Sequence, residues 1–206
     1  DFYIFLFTPI ILLIIYFYLY HLDLIFLIIV FFTPFSFNFE DLPLGGIGFY
    51  LPTEPMLLIF TVIFLLKFLK SSYDKDELKH YRHPITIIIL LQLFWVLLTS
   101  FFSDSFIISI KFFISRSWFV IPLFFYSIHF FKQGKYRIFQ FLWCYIIPVF
   151  IVTCYTLINH MNNGFSEASG HWVMWPFFKD HTSYGAILAL SIPITIWLLN
   201  EYKKSN

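Results

Sequence analysis

The sequence predicts an all-α protein, a polytopic bundle of about seven transmembrane helices forming one integral-membrane domain over residues 1–206. Three observations predict it. The chain is 60% hydrophobic and 24% aromatic with only 12% charged residues, against roughly 25% charged in ordinary globular domains. A soluble fold of this length has too little polar surface to cover so many Phe, Ile and Leu side chains. The apolar residues fall into runs near the ~20 residues that a bilayer crossing needs. Finally, the basic residues collect in alternate connections between those runs, as orientation in a membrane requires.

The runs can be taken in order. Residues 2–20 are apolar and lack the basic leader and small-residue cleavage site of a signal peptide, so they read as a span. The start at Asp1 reads as a truncation, and a true terminus on the cytoplasmic side would imply at least one further span upstream. Residues 22–37 form a short second run that ends in "FTPF", where Pro34 marks the end. The "GGIG" of 45–48 is a flexible turn without the spacing of a dinucleotide or P-loop motif, so nucleotide binding has no support. In "LPTEP", Thr53 can cap the third run (54–70), Glu54 favours the positive end of its dipole, and Pro55 suits a first turn.

Runs 84–102, 107–131 and 138–158 follow, with Pro84 in a first turn and Pro122 at a kink. Cys144 and Cys154, ten residues apart on the sixth run, would lie about 15 Å apart along a helix, too far for a disulfide. The last run, 182–200, follows Asp180, which can cap it.

Ten of the thirteen basic residues lie on one side if every run crosses once: in the 67–83 loop, in the 132–137 turn and in the tail at Lys203 and Lys204. That side is predicted to be cytoplasmic, which puts the 38–53 and 159–181 loops outside. Glu40, Asp41, Glu54, Asp104, Glu167 and Asp180 fall on the outer side. His80, Arg82 and His83 fit cytoplasmic headgroup anchors. The net charge of +1 favours no class of partner, and the basic residues form no single patch, so nucleic acid is not an expected ligand.

The three basic residues off the cytoplasmic side, Lys111, Arg116 and Lys179, carry the functional signal. If the fifth helix begins near Ile107, Arg116 lies roughly 14 Å below the outer boundary, near the middle of a layer about 30 Å thick. A central arginine costs at least about 2.5 kcal/mol and normally faces a partner or a wet cavity. With Lys111 above it and Ser115 and Ser117 beside it, a cationic ladder would suit a phosphate or pyrophosphate. The alternative is a helix that starts near Phe112, with both cations snorkelling.

"KDHTSYG" places His181 and Ser183 in the first turn after the Asp180 cap, where helix N-termini favour anions. A plain cap with interfacial polar residues is the alternative. His160, His171 and His181 are spaced eleven and ten apart, unlike a zinc site, so no metal is expected. Trp172 and Trp175 fit an interfacial aromatic belt.

Several phrases in order, "LGGIGFYLPTEP", "HPITI", "KFFISRSWFVIPLFF" and "WVMWPFFKDHTSYGAILALSIP", resemble the N-terminal part of the O-antigen ligase and polymerase family of bacteria. The family's shared region would begin near Trp175. The resemblance implies a bacterial inner-membrane glycosyltransferase that is independent of metals and cofactors. It would move a glycan from an undecaprenyl-pyrophosphate carrier to lipid A core or another glycan on the periplasmic side. Loops 38–53 and 159–181 would then be periplasmic and loop 67–83 cytoplasmic. Its partners would be that lipid-linked donor, the acceptor and the membrane lipids.

By resemblance, Arg116 with Lys111 would hold the donor pyrophosphate, and His181 would be a catalytic candidate. Lys179, Asp180 and Glu54 are further outer-face candidates. The family's remaining essential residues lie in a periplasmic loop that would follow Asn206, so these residues alone would be inactive. The alternative is a transporter or flippase of a lipid-linked or anionic solute, with Arg116 as counter-charge.

Overall fold

The computed structural model describes residues 15–39, 49–70 and 82–205. Among them, four helices are long and apolar enough to cross a membrane by length and composition: Pro84–Phe101, Phe106–Lys132, Lys135–Asn162 and His181–Lys204. They coincide with the four C-terminal runs. The second run gives only a short apolar helix, Leu22–Phe35, because the chain leaves α geometry after Phe32 and passes through a 3₁₀ turn at Thr33–Phe35. The third run gives Thr53–Lys70, whose 18 residues include three charged ones, Glu54, Lys67 and Lys70, and it is not among those four. Of the first run only 15–20 is described, and it is helical. The 45–48 turn and most of the 67–83 loop, His80 included, lie outside the described residues.

We number the helices α1 (Leu22–Phe32), α2 (Thr53–Lys70), α3 (Pro84–Phe101), α4 (Phe106–Lys132), α5 (Lys135–Asn162) and α6 (His181–Ser205). Strands β1 (Phe37–Phe39) and β2 (Phe49–Leu51) pair antiparallel, Phe37 opposite Leu51. Compact packing divides the chain into two units: the described parts of Asp1–Tyr20 with Leu57–Gln133, and of His21–Met56 with Gly134–Asn206.

In the first unit α3 and α4 form a tight antiparallel pair. The Ser100 hydroxyl lies 3.2 Å from the Ser109 carbonyl, and Ser109 donates to Ser103 at 2.7 Å, which closes the turn between them. His83 caps α3 by accepting from the Ile85 amide, with Pro84 at the first helical position. From Leu57 onward α2 buries Phe60 and Phe64 edge-on against Tyr126. Tyr126 sits in a wider π-helical stretch, Ile121–Tyr126, where α4 absorbs Pro122 and its missing amide.

In the second unit one level gathers the starts of α1 and α5 and the end of α6. Arg137 bridges Asp23 at 3.0 Å and also donates to Gln140, while Glu201 takes Lys135 and Lys204. Higher up, Phe26 stacks on Phe141 and Phe139 on Trp197. At the far level Phe35, Phe37 and Tyr155 surround Phe177. Thr53 does not spend its hydroxyl as a free cap: it bonds Ser36 and points at the Phe32 carbonyl, tying the start of α2 to the end of α1.

Ile87, Ile88, Leu91, Phe94 and Trp95 all lie exposed along α3. A face of that kind in water would be an aggregation surface, whereas lipid solvates it.

Candidate functional site

Arg116 lies ten residues into α4, about 15 Å from its first turn and roughly 24 Å from its last residue, Lys132. It is exposed, and it shares one helix face with the exposed side chains Ile108, Phe112 and Leu123, eight and four residues before it and seven after it. A single guanidinium thus interrupts an apolar stripe on a helix long enough to span. No hydrogen bond or ion pair joins it to another described residue.

Two expectations about this region need correcting. Lys111 precedes Arg116 by five residues, which is about 140° around the helix, so the two cations occupy different faces and make no ladder. Ser115 and Ser117 give their hydroxyls to the Phe112 and Phe113 carbonyls at 3.1 and 2.8 Å, so they offer no outward donors to an anion.

The second cluster belongs to the other unit, where the connection from α5 to α6 is folded back onto α5. The helix stops where Gly164 and Phe165 turn to positive φ, and the Phe165 amide closes on the His160 carbonyl at 3.0 Å. Ser166 and Ser169 then bond each other and lead into a 3₁₀ turn, Ser169–His171. Val173 and Met174 are buried. Asn159 donates to the Val173 carbonyl at 2.9 Å and Tyr155 to the Trp175 carbonyl at 3.2 Å, so α5 side chains pin the returning strand. Trp172 and Trp175 remain exposed.

This path brings His171 to His181, the first residue of α6. Their Nδ1 atoms are 3.3 Å apart, with ring centroids 4.6 Å apart and planes 79° apart, and both rings are exposed. Asp180 caps α6: Oδ1 accepts the Ser183 amide at 2.8 Å and Oδ2 the Ser183 hydroxyl at 2.6 Å. Those two bonds, the hydroxyl first, hold the carboxyl below its usual 3.8, with smaller help from the Thr182 amide and the His181 charge. Asp180 is therefore an anion at neutral pH, already committed to its helix.

The candidate residues thus divide between the two units. Lys179 is exposed beside Asp180, and His160 faces the Ser166 carbonyl at 3.2 Å, apart from the other two histidines. Glu54 is buried in the first turn of α2. Arg116 and Lys111 belong to the first unit; Glu54, Lys179, Asp180 and His181 belong to the second. Sequence spacing missed His171 as a partner of His181, because a ten-residue separation carries no periodic signal and only the folded path of the connection joins them. Among the described residues no group of three or more His, Cys, Asp or Glu side chains could hold a metal ion. Compared with known protein families, with curated proteins and with solved structures, the chain finds no match.

Proposed function

We propose that the protein is a membrane-embedded glycosyltransferase that moves a glycan from a polyprenyl-pyrophosphate donor to an acceptor hydroxyl at the outer face of a bacterial inner membrane. The observation that carries this reading is Arg116, a guanidinium on an exposed apolar face near the middle of a 27-residue helix. Such a group is costly to bury in lipid and is retained where an anionic ligand repays it. A lipid-linked pyrophosphate reaches that depth by its own anchor, and guanidinium pairs with phosphate oxygens two at a time.

In the reaction the acceptor oxygen bonds to the anomeric carbon while the bond from that carbon to the pyrophosphate oxygen breaks. The electron pair leaves with the pyrophosphate, whose growing charge Arg116 stabilises. The acceptor proton passes to water.

The seven-span arrangement is part of the same reading. Support for a crossing by 22–37 comes from its contacts with α5: Asp23 meets Arg137 at one end and Phe37 joins Tyr155 around Phe177 at the other. Arg137 and Tyr155 are eighteen residues apart on α5, a rise of about 27 Å, which is close to the hydrocarbon thickness. The outer placement of the α5–α6 connection rests on the alternation of basic residues.

Replacing Arg116 by Ala tests the proposal. A transferase loses glycan attachment while its donor lipid accumulates in the outer leaflet. Accumulation in the inner leaflet would instead assign a flippase or transporter.

A further inference from the structure

We infer that the open groove between α5 and α6 holds one acyl chain of an anionic phospholipid, with the headgroup against the lysines at its Tyr202 end. Two cavities, of about 670 and 270 Å³, share Trp143, Ile146 and Thr195 in their walls and so form one furrow. It runs along α6 from Leu188 to Tyr202, fourteen residues and therefore about 21 Å. One leaflet of a hydrocarbon layer about 30 Å thick is about 15 Å deep, so a chain that enters at Tyr202 reaches the bilayer middle within the furrow.

The lining suits hydrocarbon and nothing polar. No charged side chain lines either cavity, and the three aliphatic hydroxyls in the walls are spent on their own helices. Thr153 donates to the Val149 carbonyl, Ser191 to that of Ile187 and Thr195 to that of Ser191, each at 2.8 Å. The Phe139–Trp197 stack and the Lys135–Glu201 bridge fasten α5 to α6 toward the Tyr202 end.

That end carries the complementary charge. Glu201 takes both Lys135 and Lys204, while Asp23 and Arg137 at the same level neutralise one another. Lys203 follows Leu199 of the furrow wall by four residues, on the same helix face, and is exposed. It joins no ion pair with another described residue. Three lysines against one glutamate leave two positive charges, which attract an anionic headgroup. This end lies at the opposite end of α6 from His181, so the lipid is not the proposed donor, and the inference stands apart from the transferase reading.

The test uses the purified protein in neutral detergent micelles, with phosphatidylglycerol and phosphatidylcholine of identical acyl chains, read by native mass spectrometry. One phosphatidylglycerol per chain should stay bound, preferred over phosphatidylcholine by about fivefold or more. Thr195→Trp fills the furrow where its two cavities join and should remove both lipids. Ile88→Trp, on the exposed face of α3, should change nothing. Lys203→Gln alters an exposed side chain and leaves folding intact; it should weaken phosphatidylglycerol about fivefold and leave phosphatidylcholine unchanged. Equal retention of the two lipids, or retention that survives both Thr195→Trp and Lys203→Gln, overturns the proposal. So does a dimer that Thr195→Trp separates, which gives the furrow to a second copy of the chain. Tighter binding of a polyprenyl phosphate that Thr195→Trp abolishes would overturn it in favour of the donor lipid.

Discussion

The bridge between Asp23 and Arg137 ties the short helix α1 to the long helix α5, and its worth can be measured by a double-mutant cycle. At 3.0 Å and an effective dielectric constant of 20 the gross attraction is about 5.5 kcal/mol. Desolvation and side-chain ordering cancel most of it. Exposed pairs retain up to about 1 kcal/mol, and breaking a buried pair costs about 3–5 kcal/mol. With side chains 28% and 30% exposed, this bridge falls between those cases, and a coupling of about 1–2 kcal/mol is expected. The cycle compares Asp23→Ala, Arg137→Ala and the double variant by reversible unfolding in mixed micelles. The Gln140 contact of Arg137 persists in Asp23→Ala, so the single changes include other terms and the cycle removes them. Additivity within about 0.3–0.5 kcal/mol would reduce the bridge to a surface contact that does not couple α1 to α5.

Two further outcomes follow from the same structure. With Cys144 and Cys154 changed to Ser, a single cysteine at Asn163 or Glu167 should be labelled by an impermeant thiol reagent from outside intact cells. One at Gln133 should react only after permeabilisation; labelling of all three alike would contradict the seven-span orientation. At the α6 cap, the Asp180 carboxyl is held below 3.8, so its contribution is present above that value and is lost as pH falls through its lower folded value. Asp180→Ala should therefore lower the melting temperature at pH 7 and match the unmutated protein in strong acid; an equal deficit at both would show that charge plays no part.

The long apolar helices were legible because they depend on little beyond run length. The predicted 138–158 extends to Lys135–Asn162 in the structure, since Asn159, His160 and Asn162 continue a helix although they end an apolar run. The Asp180 cap was legible for the same local reason: a short acceptor three residues before an amide needs no tertiary contact. Where the fold depends on contacts distant in sequence, the pattern gave no guidance. Thr53 looks like a cap until Ser36 and Phe32 are brought against it. The β1–β2 pairing sits inside what reads as loop. Lys111 and Arg116 looked like a ladder because depth was counted along the helix and angle was not. The meeting of His171 with His181 depends on Asn159 and Tyr155 drawing the connection back over α5, and nothing in a linear spacing encodes that.

The proposed function rests on Arg116 binding the pyrophosphate of a lipid-linked donor. Arg116→Ala and Arg116→Lys, made in the protein in its native membrane, test it most directly through surface glycan and the leaflet in which donor lipid collects. Removing a central arginine relieves an insertion cost of at least about 2.5 kcal/mol, and a lysine there costs about as much as the arginine it replaces, so both variants should reach the membrane in normal amount. Losing charge-assisted bonds worth about 1.5–3 kcal/mol should cut transfer by Arg116→Ala roughly 10- to 100-fold, with donor accumulating in the outer leaflet. Arg116→Lys keeps the charge without the paired donors and should fall between. Full glycan transfer by Arg116→Ala at normal abundance would contradict the account.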